Sequence, residues 1–206
     1  MWKRFLFTSL WLMAAAAWAK PAPTILVMGD SLSAAYGIET SQGWVALLGR
    51  RLESEGHDWR VVNASVSGDT TAQGLTRLPL EIARHRPAIV ILELGANDGL
   101  RGLSVTAMQR NLAHMIVLAQ KAGARVLLVG IYLPPNYGPE YTRQFAAVYP
   151  RLARRYHLPL VPFLLAGVGE HRDWMQADGL HPLAMAEPRV LENVWVKLQP
   201  LLPRRR

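Results

Sequence analysis

The sequence predicts an α/β fold: a doubly wound parallel sheet of five strands with flanking helices, in one domain. Three observations carry this. Short β-rich apolar runs alternate with segments of helical period, the pattern of strands joined by crossover helices. One run, residues 88–95, reads as apolar throughout, as a strand buried on both faces must be. No linker divides the 206 residues, and 50% of them are hydrophobic, enough for a single core.

The elements follow in order. "TILVM" (24–28) is a first strand, and "GWVALLGRRLESEG" (43–56) has apolar residues at helical spacing up to a stop at Gly56. "RVVNA" (60–64) is a second strand, followed by a helix over 70–86 that Pro79 interrupts. After the third strand, residues 104–123 form the clearest helix, with Ser104 as N-cap and Gly123 as its stop. "RVLLVGI" (125–131) is a fourth strand, and the loop "LPPNYGP" (133–139) leads into a helix running to Tyr156. "LPLVP" (158–162) is a fifth strand, residues 163–181 are irregular, and a last helix starts near Pro182, where proline suits a first turn. The crossovers should be right-handed.

The first 19 residues read as an export leader, leaving residues 20–206 as the folded domain. Lys3 and Arg4 form the charged start, Phe5–Trp18 the apolar stretch, and Ala17-Trp18-Ala19 an A-x-A cleavage site. The apolar stretch falls short of the roughly 20 residues of a spanning helix, so no stable membrane insertion is expected after cleavage. The alternative is an uncleaved anchor. The bacterial periplasm is the expected destination, with the outside medium as the second choice. The absence of cysteine excludes disulfides, thiolate metal sites, a Cys nucleophile and a lipoprotein anchor. The net charge of +8 is spread over scattered arginines apart from Arg204–Arg206. A nucleic-acid reader would concentrate charge in a stripe with interleaved aromatics, so no nucleic-acid partner is expected.

In open α/β sheets ligands bind beyond the carboxyl ends of the strands. The polar motifs fall there. "GDS" (29–31) follows the first strand, "NASVSGDT" (63–70) the second and "GAND" (95–98) the third. A hydroxyl nucleophile needs a base, a carboxylate that orients the base, and donors for the oxyanion. Ser31 is the candidate nucleophile. The sequence has no G-x-S-x-G elbow, which disfavours an α/β-hydrolase layout. Of six histidines, His57, His85 and His157 lie near helix ends beside charged residues, His114 is mid-helix, and His171 is in a polar stretch. His181 differs, because Asp178 precedes it by three residues in "ADGLHP". A D-x-x-H turn lets the carboxylate take one imidazole N–H and leaves the other nitrogen free. The candidate oxyanion donors are the backbone N–H of Ser31, the backbone N–H of Gly68 and the side-chain amide of Asn97. Singly, Gly68 reads as a turn glycine and Asn97 as an Asx turn; the convergence of the loops raises both. Asp30 and Asp69 read as loop-fixing residues, and Ser33 as a helix-start hydroxyl.

These blocks, GDSL, SGDT, GAND and DGLHP, resemble in order those of the SGNH (GDSL-type) hydrolases. Longer stretches such as "VVNASVSGDTTAQGLTRLP" and "WMQADGLHP" are similar to the bacterial periplasmic multifunctional thioesterase/lysophospholipase/arylesterase group. The resemblance implies a flavodoxin-like three-layer sandwich, a Ser31–His181–Asp178 triad and an oxyanion hole of Ser31, Gly68 and Asn97. It implies no metal or organic cofactor, small acyl esters, thioesters or lysophospholipid as substrates, and a monomer. Gly99 and Leu100, in a segment that moves on ligand binding in relatives, and Leu133, Pro134 and Tyr137 of the apolar loop are implied substrate contacts. Ala96 departs from the second glycine common in close relatives and adds a methyl beside the oxyanion loop. A carbohydrate O-acetyl esterase of the same superfamily is the rival enzyme. A flavodoxin-like binding module is a remote alternative that leaves Asp178 and His181 without a role.

Overall fold

A computed structural model describes residues 22–202. The leader over 1–19 and Arg204–Arg206 lie outside the described residues. Strands β1 (Thr24–Gly29), β2 (Arg60–Asn63), β3 (Ile89–Glu93), β4 (Arg125–Val129) and β5 (Leu160–Val161) form one parallel sheet in the order β2-β1-β3-β4-β5. Helices α1 (Trp44–Ser54) and α7 (Glu187–Leu198) pack together on one face. On the other lie α2 (Thr71–His85), α4 (Val105–Lys121) and α6 (Val148–Tyr156), preceded by the short α5 (Pro139–Ala146). This is the expected three-layer α/β/α sandwich. Ile25–Met28 and Ile89–Leu92 are fully buried, so the centre of the sheet is the core. Among the described residues no helix is long and apolar enough to cross a membrane.

Several elements depart from the sequence reading, each for a local reason. The run 88–95 is not apolar throughout, because Glu93 ends β3 with its carboxylate 1% exposed. Helix α2 runs unbroken through Pro79. The ring removes one hydrogen bond, but a Thr70/Gln73 capping box and full burial of Leu78 hold the helix on either side. The helix expected to reach Tyr156 is two, α5 and α6, meeting at Ala147. Pro150, with no N–H, cannot bond the carbonyl four residues back at Ala146, so a continuous ladder fails there. Strand β5 shrinks to two residues between Pro159 and Pro162, which cannot donate to a ladder. A short helix, α3 (Ala96–Leu100), occupies what reads as a loop. Pro182 does not start the last helix. It pairs with Met175 in an antiparallel bridge, and the first-turn proline of α7 is Pro188.

A second buried acid, Glu187, lies outside the sheet at the start of α7. Glu187 accepts the Trp44 N–H at 2.7 Å, completing the N-terminus of α1, whose N-cap Gly43 has no side chain to do so. Burial raises the Glu187 carboxyl to about 7, against the relief of that N–H. The folded state therefore holds the proton more tightly than the unfolded chain, and stability falls as pH rises between about 4.5 and 7. Glu187→Gln keeps an acceptor and removes the titration. The melting temperature of the variant, relative to the parent, should rise across that window. The shift corresponds to a change on the order of 3 kcal/mol, at about 1.4 kcal/mol per pKa unit. Thermal scans at pH 4.5 and 8 measure it. A constant difference would assign the pH dependence elsewhere.

Candidate active site

In the order β2-β1-β3, the crossover direction reverses between β1 and β3, so a crevice opens at their carboxyl ends. Ser31 follows β1 there, and Asn97 follows β3. Asp178 and His181 arrive from the other end of the chain. The bridge between Met175 and Pro182 and the 2.7 Å bond from the Gln176 N–H to the His181 carbonyl fix their turn.

The three predicted side chains meet. Ser31 Oγ donates to His181 Nε2 at 2.8 Å, and His181 Nδ1 donates to Asp178 Oδ2 at 2.7 Å. The other oxygen, Asp178 Oδ1, accepts the N–H groups of Leu180 and His181 at 2.9 and 3.1 Å. Partial desolvation opposes charge on Asp178, but these N–H groups and the imidazole hold its carboxyl below the usual carboxylate range. An ionised carboxylate only accepts, so Nδ1 carries the proton and Nε2 is left to receive one. The Tyr36 ring lies 4.7 Å from the imidazole, and the Gln176 amide donates to the Tyr36 carbonyl at 2.7 Å. Sequence reasoning missed both residues, since neither has a local signal pointing to residue 181.

Among the described residues, neither the Ser31 N–H nor the Gly68 N–H donates to any protein acceptor. Gly68 has φ +85°, a conformation other residues rarely adopt, and its carbonyl accepts from the Arg101 guanidinium at 2.8 Å. The Asn97 amide donates to the Asp69 carbonyl at 3.1 Å and, more weakly, to Asp30 Oδ2 at 3.3 Å. Asp30 also accepts the Leu32 N–H at 3.1 Å, and Asp69 pairs with Arg77. Both acids therefore brace loops, as expected. Burial raises the Asp30 carboxyl to about 7, partly offset by Leu32 and Asn97 and reinforced by the charges of Asp69 and Asp98. Asp98 does not stay in a local turn with Asn97. Its buried carboxylate accepts the Thr71 N–H and hydroxyl at 2.8 and 2.6 Å, which ties α3 to the start of α2.

Ser33 is not a helix-start hydroxyl. Residues 31–37 form a run of turns, and Ser33 Oγ points inward to Glu93 at 2.7 Å. The predicted substrate contacts lie together on a second side. Gly99 is buried against Leu133 and Phe145, with no room for a Cβ, and Tyr137 Oη donates to the Leu100 carbonyl at 3.0 Å. Pro134 precedes a turn of 3-10 helix over Pro135–Tyr137. Tyr141 Oη adds a 2.8 Å bond to the Leu103 carbonyl, so the 99–103 segment and the 133–141 stretch are joined at several points. Of the other histidines, His57 and His85 sit beside Glu55 and Glu81, and His157 caps α6 in a left-handed conformation.

The family model of the GDSL-like lipase/acylhydrolase family matches residues 27–185. The chain belongs to this family. As a GDSL-like hydrolase it is an enzyme that cleaves acyl esters. It is 59% identical over 181 residues to the esterase TesA of Pseudomonas aeruginosa, covering 88% of this chain and 90% of that one. Thioesterase 1/protease 1/lysophospholipase L1 of Escherichia coli K12 is 43% identical over 198 residues, covering 96% and 92%. Among solved structures, the psychrotrophic esterase EstA from Pseudoalteromonas superposes with a TM-score of 0.82 at 39% identity, covering 86% of this GDSL-like hydrolase and 97% of EstA.

Proposed function

We propose that this protein is a serine esterase acting on carboxylic esters and thioesters through an acyl-enzyme on Ser31. The observation that carries the reading is the continuous chain from Ser31 Oγ through His181 to Asp178, with bonds of 2.8 and 2.7 Å. Ser31 Oγ attacks the acyl carbonyl carbon and its proton passes to His181 Nε2. The oxyanion is held by the Ser31 and Gly68 N–H groups and the Asn97 amide. Asn97 turns to it by releasing the longer of its two bonds, the 3.3 Å bond to Asp30. As the tetrahedral species collapses, the alkoxide or thiolate leaves with the proton from His181. Water then attacks the acyl-enzyme, its proton goes to the same nitrogen, and Ser31 recovers it as the acid departs. Asp178 stabilises the imidazolium in each half. No step needs a metal or organic cofactor.

Gly99, Leu100, Leu133, Pro134 and Tyr137 form the side of the site that takes the acyl chain. The names of the relatives support esters, thioesters and lysophospholipids as substrates of one site. We also take residues 1–19 as a leader removed on export to the periplasm, on the strength of Lys3, Arg4, the apolar stretch and the A-x-A site. We further propose a monomer: a single chain supplies every group of the triad and oxyanion hole, so the chemistry requires no second copy.

Labelling purified protein with a fluorophosphonate and mapping the modified peptide tests the assignment. The expected adduct is on Ser31, and an adduct elsewhere would overturn it. A series of p-nitrophenyl esters from acetyl to dodecanoyl should show turnover persisting with octanoyl. A strong preference for acetyl would instead place the protein among carbohydrate O-acetyl esterases.

A further inference from the structure

Glu93 takes no part in the steps above, yet it is a buried acid in a strand buried along its whole length. We propose that Glu93 is a positioning residue for the nucleophile, holding Ser33 and through it the loop that carries Ser31. The inference rests on the reading of Ser31 as nucleophile. Glu93 and Gly29 are direct partners in the β1–β3 register, so the Glu93 carboxylate lies beneath the point where the chain leaves β1. Ser33 Oγ donates to Glu93 Oε2 at 2.7 Å, and the Asp30 N–H faces the same carboxylate. From the opposite side, the Asn63 amide donates to the Ser33 carbonyl at 2.8 Å. Ser33 is 2% exposed and thus clamped between β3 and β2.

On the side of Gly29 the contact is tightly packed. A Cβ built on Gly29 would come within 2.6 Å of Ser33 Oγ and 2.8 Å of Glu93 Oε2. The loop then turns through Ala35 at φ 60°, a conformation costly for alanine that persists only where its surroundings impose it. Burial and the nearby Asp30 charge raise the Glu93 carboxyl well above its ordinary range, against the help of Ser33 and the Asp30 N–H. An apolar pair of the same volume would fill this space without that desolvation cost. What the acid–hydroxyl pair adds is direction. It fixes Ser33 at one point, two residues beyond Ser31, whose hydroxyl must stay in line with His181 Nε2. A displacement of the reacting atom by about 1 Å costs on the order of a hundredfold in rate.

The test compares Glu93→Leu, Glu93→Gln and Ser33→Ala with the parent and with Ser31→Ala. Each is assayed for kcat and KM on p-nitrophenyl butyrate and for its rate of fluorophosphonate labelling, with folding checked by thermal melting. Glu93→Leu and Ser33→Ala should lower kcat and the labelling rate in parallel by about tenfold to a hundredfold, with KM within about twofold. Glu93→Gln, which keeps an acceptor for Ser33, should recover most of the loss. Adding Ser33→Ala to Glu93→Leu should cost little more, because both remove one contact. If Glu93→Leu does not fold, Ser33→Ala, which deletes a single atom, decides alone. Parental kcat and labelling in folded Ser33→Ala would overturn the proposal, as would strictly additive losses. Activity surviving in Ser31→Ala would instead overturn the nucleophile assignment, so the two failures are distinct.

Discussion

Ser31→Ala should lower kcat for p-nitrophenyl esters by about ten-thousand-fold to a million-fold, with the melting temperature close to that of the parent. The size of the effect follows from what the substitution leaves. It deletes one oxygen, half-buried at the crevice, and disturbs no other contact of the loop: the Asp30 carboxylate still accepts the Leu32 N–H, and Ser33 still reaches Glu93. His181 keeps its bond to Asp178 and the backbone N–H at position 31 remains in place for the oxyanion. Residual hydrolysis therefore reflects binding and oxyanion stabilisation without covalent attack. KM should change little, and fluorophosphonate labelling should vanish. Retention of more than a tenth of the parental kcat in pure protein would remove Ser31 from the role.

Asp178→Asn should lower kcat by roughly a thousand-fold to ten-thousand-fold without loss of fold. The direction is set by the second oxygen of the carboxylate. Asp178 Oδ1 accepts two backbone N–H groups, from Leu180 and His181, which an amide can satisfy only with its oxygen. The amide NH2 is thereby turned toward His181 Nδ1. That nitrogen must then accept, which shifts the ring proton to Nε2, where it meets the Ser31 hydroxyl. The base is present but in the wrong tautomer. Alanine at 178 would instead let water approach the partly exposed ring, so it should be no worse than asparagine despite removing more atoms. That ranking, measured as kcat at constant pH, separates control of the tautomer from simple loss of charge. Asparagine more active than alanine by tenfold would contradict it.

Most of the site was legible because each of its residues lies in a short motif at a strand end, where chain direction alone puts it on one edge of the sheet. The D-x-x-H spacing of Asp178 and His181 is likewise a local matter, closed within one turn. What could not be read was set by distant partners. Ser33 looks like a helix-start hydroxyl until Glu93, sixty residues on, is seen beneath it. Glu93 itself hides in a run of apolar neighbours, and Glu187 reaches Trp44 across 143 residues. The strand order is a matter of which crossovers go which way, and alternation of period carries no record of it. Prolines act in both directions. Pro79 is tolerated inside α2, whereas Pro150 splits a helix and Pro182 belongs to a bridge. In each case the outcome depends on whether neighbouring contacts replace the missing hydrogen bond.

The order of the site along the chain has a further meaning. Ser31, Gly68 and Asn97 all precede the exposed turn over 122–123 that follows α4, while Asp178 and His181 both follow it. The seam between the two portions runs along the β3–β4 pairing in the middle of the sheet. One portion carries the oxyanion donors and the nucleophile, the other the proton shuttle, and neither is a catalyst by itself. Turnover is thus a report on the closure of that central seam: a chain whose halves have each folded but not docked is chemically silent.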